Sequence, residues 1–191
     1  MFLLIPVMLT LLFLLGFAII MLGGFIAEYI ERRRKRPIFQ KYLERMLHLK
    51  TSEISWCKRE NLYGLINIFK KRLPLKIKNP KTIEKIIDDI EIYSLGKITN
   101  LMIGARLGPA LGLMGTLIPL GPGLMALGTG NISILANSLV VAFTTTIIGL
   151  FTGSLFYIIA QIKRRWYLND LNDLRFIQEC VEYAHETKTE T

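Results

Sequence analysis

The chain has 191 residues, 51% of them hydrophobic and 20% charged, with 24 Lys+Arg against 15 Asp+Glu and a net charge of +9. The charges are segregated, for none lies between Phe2 and Ala27 or between Leu107 and Ile162. That pattern excludes an ordinary soluble domain and a disordered, collagen-like or coiled-coil chain, and it leaves a membrane protein.

The first uncharged stretch ends at Glu28-Tyr-Ile-Glu-Arg-Arg-Arg-Lys-Arg36. It is longer than the about 20 residues a helix needs to cross a bilayer, and no basic segment precedes it as in a signal peptide. Residues 1–30 therefore read as transmembrane helix 1, held by a stop-transfer cluster. Residues 31–100 read as a helical segment. Phe39, Tyr42, Leu43, Met46 and Leu47 recur at three- and four-residue steps, and the apolar face continues through Ile54, Trp56, Leu62, Leu65, Ile66 and Phe69. The stretch from Leu73 to Pro80 breaks the pattern, since proline lacks a donor and restricts its predecessor. The period resumes at Ile83, Ile86, Ile87, Ile90 and Tyr93 and runs past Gly96 toward Leu101.

The second uncharged stretch, Leu107–Ile162, is too long for one span and fits two, which begin at about Leu101 and include Arg106 near the cytoplasmic end, over residues 101–162. Pro119, Gly121-Pro-Gly123 and Gly128-Thr-Gly-Asn131 are candidate breaks, and the polar, glycine-rich last of these is the expected turn. Residues 163–191 continue inward as an amphipathic helix through Trp166, Leu168, Leu171, Leu174, Ile177, Cys180 and Val181, followed by a polar tail. Basic residues crowd 28–100 and Lys163-Arg-Arg165, whereas the amino terminus and the turn are uncharged. The positive-inside rule then puts the amino terminus outside and the carboxyl terminus in the cytoplasm, in a multi-pass protein of the cell membrane. The expected fold is an all-α membrane protein with three transmembrane helices and long cytoplasmic helical extensions. Arg32–Arg36 abuts a span, so it reads as an orienting cluster that meets anionic headgroups of the bilayer, and no nucleic acid is expected. Cys57 and Cys180 lack CxxC spacing, and His48 and His185 stand alone, so neither a metal nor a cofactor is expected.

The second and third spans are too rich in small and hydroxyl residues for plain anchors. Gly108 and Gly112 share a helix face, with Gly115 beside it and Thr116 on its margin. Ala142, Thr146, Gly149 and Gly153 make a second small-residue face. Such faces let helix backbones approach closely. Thr144, Thr145 and Thr146 cannot all point one way, because neighbours differ by about 100°. Each hydroxyl can serve either a passage or its own backbone. No Asp, Glu, Lys or His lies within the uncharged stretches of the three spans, so if ions cross here the acid must come from another chain.

With Gly108-Pro-Ala-Leu-Gly-Leu-Met-Gly-Thr116 and Thr144-Thr-Thr-Ile-Ile-Gly-Leu150 in this span order, the chain resembles the MotA/TolQ/ExbB proton channel family, as a divergent relative of its ExbB/TolQ branch. The resemblance implies a homo-pentameric ring around a single-span ExbD/TolR/MotB-like subunit with a membrane Asp, coupling proton flow to mechanical work. It implies Thr116, Thr146 and Thr145 as the proton pathway, and Pro109, Gly112, Gly115, Gly149 and Gly153 as residues that shape the packed pore helices. Val141 stands where the TolQ/ExbB branch carries a glutamate. A non-conducting oligomeric scaffold is the alternative. A membrane enzyme is not expected, for want of a nucleophile–base pair, a metal cluster or a phosphate loop.

Overall fold

A computed structural model describes residues 4–49, 62–73 and 80–189. Four helices follow in order: α1 (Leu4–Leu49), α2 (Gly64–Arg72), α3 (Pro80–Gly128) and α4 (Ile132–Thr189). Ile54, Trp56 and Cys57, and residues 74–79 of the expected proline break, lie outside the described residues. Three helices contain stretches long and apolar enough to cross a membrane, within Ile5–Lys41, Lys81–Gly128 and Ile132–Tyr183. Each runs on well beyond the about 30 Å of a hydrocarbon core.

Proline does not end these helices. α1 continues through Pro37, and α3 through Pro109, Pro119 and Pro122. A proline costs one intrahelical bond, a loss that neighbouring helices can offset in a membrane protein. The break falls at the glycine–asparagine turn instead, where Gly130 adopts φ +78°, the left-handed conformation that commonly terminates a helix. The Asn131 amide N–H returns to the Ala126 carbonyl at 2.9 Å. The Asn131 side-chain oxygen accepts from the Ile134 N–H at 3.3 Å and so caps α4.

The chain divides into two compact units. The first comprises Met1–Phe25 and Thr99–Gln161. Here Leu14, Ala18, Met21, Leu22 and Phe25 of α1 meet Leu101, Met102 and Ala105 of α3 and Leu155, Phe156, Ile159 and Ala160 of α4. The Phe17 ring lies against Phe156 with centroids 6.1 Å apart.

The second unit comprises Ile26–Ile98 and Ile162–Thr191. Its core draws on all four helices: Phe39 from α1, Leu65, Ile66 and Phe69 from α2, Ile83, Ile87 and Ile90 from α3, and Tyr167, Leu171, Leu174, Ile177 and Val181 from α4, with Leu62 and Tyr63 from the segment before α2. Burying each such side chain contributes about 1.5–3 kcal/mol. One expectation shifts by a residue, because Leu168 is exposed and Tyr167 takes the buried place. Tyr167, Leu171 and Leu174 follow steps of four and three, and Leu168 lies about 100° off that line.

Candidate functional site

The two small-residue faces meet each other in the first unit. A Cβ added at Gly108 would stand 2.7 Å from the Gly149 carbonyl oxygen and 2.7 Å from the Gly153 nitrogen. One added at Gly149 would stand 2.6 Å from the Gly108 carbonyl oxygen and 2.7 Å from Gly112 Cα. One at Gly153 would run into Pro109 Cδ at 2.5 Å. These atoms are backbone or ring, so α3 and α4 touch main chain to main chain over Gly108–Gly112 and Gly149–Gly153. Only glycine allows this. The contact opens to side chains on either side, with Gly115 against Thr145, Gly123 against Ser138 and Gly104 against Phe156.

The threonines sort by depth in this seam. Thr145 is buried (1% exposed), as Gly115 leaves room for its side chain. Its hydroxyl donates to the Ala142 carbonyl at 2.8 Å. Thr152 is fully buried and donates to Ile148 at 2.7 Å. Thr146 and Thr116 are half-buried at the margin, and Thr144 points outward. Thr116 donates to the Leu113 carbonyl at 2.7 Å and Thr146 to Ala142 at 3.1 Å. The glycine and proline residues singled out from the sequence therefore come together in one contact. Of the three threonines, Thr145 enters it and Thr116 and Thr146 flank it.

Beside the seam lies an apolar cavity of about 290 Å³, lined by Ile118, Pro119, Pro122, Ile134, Asn137, Ser138 and Val141. Val141 presents only methyl groups to it. No group of three His, Cys, Asp or Glu side chains with metal-holding geometry occurs among the described residues.

The second unit is centred on an ion pair that no sequence pattern announced. Arg32 donates to both carboxylate oxygens of Asp170, at 2.7 and 2.6 Å, and both side chains are buried. The guanidinium lies 4.9 Å from the Trp166 ring centroid and 5.2 Å from that of Tyr63, distances typical of cation–π contact. Asp170 also accepts from the Leu65 N–H at 3.2 Å, so one carboxylate joins α1, α2 and α4. Gly64, at φ +53°, makes room for the pair, for a Cβ there would collide with Arg32 Nη2 and stand 2.7 Å from Asp170 Oδ2. Lys163 bonds Glu28 at 2.7 Å, and Glu28 stands 3.8 Å from Arg32 Nε, extending the network. Burial, followed by the charges of Asp170 and Asp173, pushes the Tyr63 phenol up to about 12. The available signal for this network was an acid at 170 among the apolar positions of α4, and a glycine at the start of α2.

Residues 62–175, more than half of the chain, match the MotA/TolQ/ExbB proton channel family. The chain belongs to this family, which is one of channels rather than of enzymes. No curated protein and no solved structure matches it.

Proposed function

We propose that this member of the MotA/TolQ/ExbB proton channel family is the pore-forming subunit of a motor driven by the proton-motive force. Five copies surround single-span partner helices of the ExbD/TolR/MotB kind, whose membrane Asp carries the proton and turns its flow into mechanical work. The chain lies in the cytoplasmic membrane with its amino terminus outside and its helical extensions and carboxyl terminus in the cytoplasm. Thr116 and Thr146 face the passage, and Thr145 completes the pathway from within the α3–α4 seam. Pro109, Gly112, Gly115, Gly149 and Gly153 hold the two helices at the required distance.

The observation that carries this reading is a neutral, glycine-packed helix pair flanked by Thr116 and Thr146, with no acid of its own between Leu107 and Ile162. Such a wall can solvate an acid supplied by a partner but cannot relay protons alone. A potential of 100 mV supplies about 2.3 kcal/mol per charge moved, enough to bias loading from one side.

The test is proton uptake into vesicles holding the chain with its partner under an imposed gradient. Thr116→Ala and Thr146→Ala together are expected to lower the flux by about tenfold or more, the range typical of lost proton-transfer groups. Thr→Ser replacements should retain most of it. Full flux from the double alanine variant would overturn the reading. The scaffold alternative draws on the observation that the threonine hydroxyls donate to carbonyls of their own helix. It predicts a stable oligomer of the 21.8 kDa chain with no flux beside any partner.

A further inference from the structure

The second unit holds a cleft of about 420 Å³ lined by Tyr29, Arg32, Arg33, Arg36, Gln40 and Trp166, together with Pro37. Its place along the chain is informative. The uncharged run of the first span ends at Ala27, and Tyr29 is the second residue beyond it. On the topology read from the sequence, the cleft therefore begins at headgroup depth, where tyrosine and tryptophan concentrate. Tyr29 and Trp166 form its aromatic wall, with ring centroids 6.0 Å apart.

Among the described residues no acidic side chain lines the cleft. Arg32 is committed to Asp170, and Lys35 on the same helix to Glu31. Arg33 and Arg36 make no ion pair with any described residue. Arg36 acts on Asp173 only as a nearby charge. A second observation points the same way. Arg32 is only 6% exposed, and its Nε is buried with no hydrogen-bond partner among the described residues. The Glu28 carboxylate stands 3.8 Å from it, beyond hydrogen-bonding reach. The cleft thus combines two guanidinium forks that pair with no described acid, a glutamine amide and an aromatic wall, beside a buried Arg32 Nε.

We propose that this cleft binds the phosphate-bearing headgroup of an anionic phospholipid. Arg33 and Arg36 grip the phosphate oxygens through paired N–H donors, as guanidinium groups do. Tyr29 and Trp166 lie along the glycerol region. A lipid is favoured over a free phosphate because the cleft directly follows a membrane span, in the zone where juxtamembrane basic residues meet anionic lipid. This inference does not rest on proton conduction, and a chain that conducts nothing would still show it.

The test uses the full-length, detergent-purified oligomer stripped of lipid, with bound lipid counted by native mass spectrometry. The probes are short-chain phosphatidylglycerol, short-chain phosphatidylcholine and inorganic phosphate at matched ionic strength. Phosphatidylglycerol is expected to bind about tenfold more tightly than phosphatidylcholine, a difference readily resolved in such titrations. R33Q/R36Q should abolish that preference. R164Q/R165Q removes the same charge from exposed arginines that do not line the cleft, and should keep it. An unchanged preference in R33Q/R36Q, or equal loss in both double variants, would overturn the site in favour of diffuse surface charge. Displacement of phosphatidylglycerol by equimolar inorganic phosphate would overturn the assignment to lipid.

Discussion

Gly149→Ala probes the feature on which the first unit depends. The added methyl would sit 2.6 Å from the Gly108 carbonyl oxygen and 2.7 Å from Gly112 Cα. Ordinary contact for such pairs begins at 3.4 Å, so α3 and α4 must part by about 0.8 Å, and the whole seam loosens with them. Neither obstacle is a side chain that could swing away. Overpacking of this kind costs about 1–3 kcal/mol. The gain in helix propensity from glycine to alanine returns up to about 1 kcal/mol. The net expectation is a loss of about 1–2 kcal/mol. Gly16 and Gly121 provide the comparison, for a Cβ at either meets nothing within 4 Å. Their alanine variants keep the propensity gain and should be neutral or more stable by up to about 1 kcal/mol. Gly108→Ala strains the same contact, so the Gly108→Ala/Gly149→Ala pair should cost less than the sum of its parts. The assay is unfolding of the full chain in mixed micelles, followed by circular dichroism. If Gly149→Ala proves as stable as Gly121→Ala, the backbone contact does not exist as described.

Asp170→Asn leaves Arg32 charged and buried, and should cost about 3–5 kcal/mol in the same assay. Arg32→Met with Asp170→Leu should recover most of that loss, and additive losses would refute the pairing. Gly64→Ala imposes the left-handed penalty of about 1–2 kcal/mol and also crowds the ion pair; stability within about 0.5 kcal/mol of the parent would contradict the φ of +53°. Tyr63→Phe removes a buried hydroxyl with no partner among the described residues, so at pH 9 the variant should be at least as stable as the parent. The phenol rises from 10.0 to about 12 on folding. Its proton is therefore held more tightly in the folded state, and the associated stability is fully present below pH 10 and lost between pH 10 and 12. The loss is about 2–3 kcal/mol, and unfolding midpoints at pH 9 and pH 11 should fall further in the parent than in Tyr63→Phe.

What the sequence makes legible is what local chemistry decides. The uncharged runs mark the helices long enough to span, and Gly128-Thr-Gly-Asn131 marks the turn, because its left-handed glycine and capping asparagine act within a few residues. Spacing by four puts Gly108 and Gly112 on one face whatever they pack against. Which threonine enters the seam is a different kind of question. Thr145 and Thr146 differ by about 100°, and only the position of Gly115 on the facing helix gives Thr145 the room. Arg32 and Asp170 lie 138 residues apart, and each alone reads as a solvated surface charge. Tyr167 displaces Leu168 from the core for the same reason, since the buried line of α4 is set by where Asp170 must reach Arg32 and the Leu65 N–H.

The direction of the threonine hydrogen bonds bears on how an acid would be handled beside them. Thr116 gives its only hydroxyl proton to Leu113 at 2.7 Å, and Thr146 gives its own to Ala142 at 3.1 Å. With the donor engaged, what remains outward is a pair of acceptor lone pairs. On the proposed reading, a protonated carboxyl from the partner can donate to them directly. An ionised carboxylate gains nothing until a hydroxyl swings off its carbonyl, at a cost of about 0.5–1.5 kcal/mol for the bond given up. On that same reading, the resting wall favours the neutral acid, and ionisation is tied to rotation of a threonine side chain. Thr146, with the longer bond, is the easier of the two to turn. The hydrogen-bond cost alone is smaller than the about 2.3 kcal/mol that 100 mV supplies to a charge crossing the whole membrane. On the proposed reading, a carboxylate fixed in the wall at position 141 competes for the same proton, and Val141, which lines an apolar cavity, offers no such competitor.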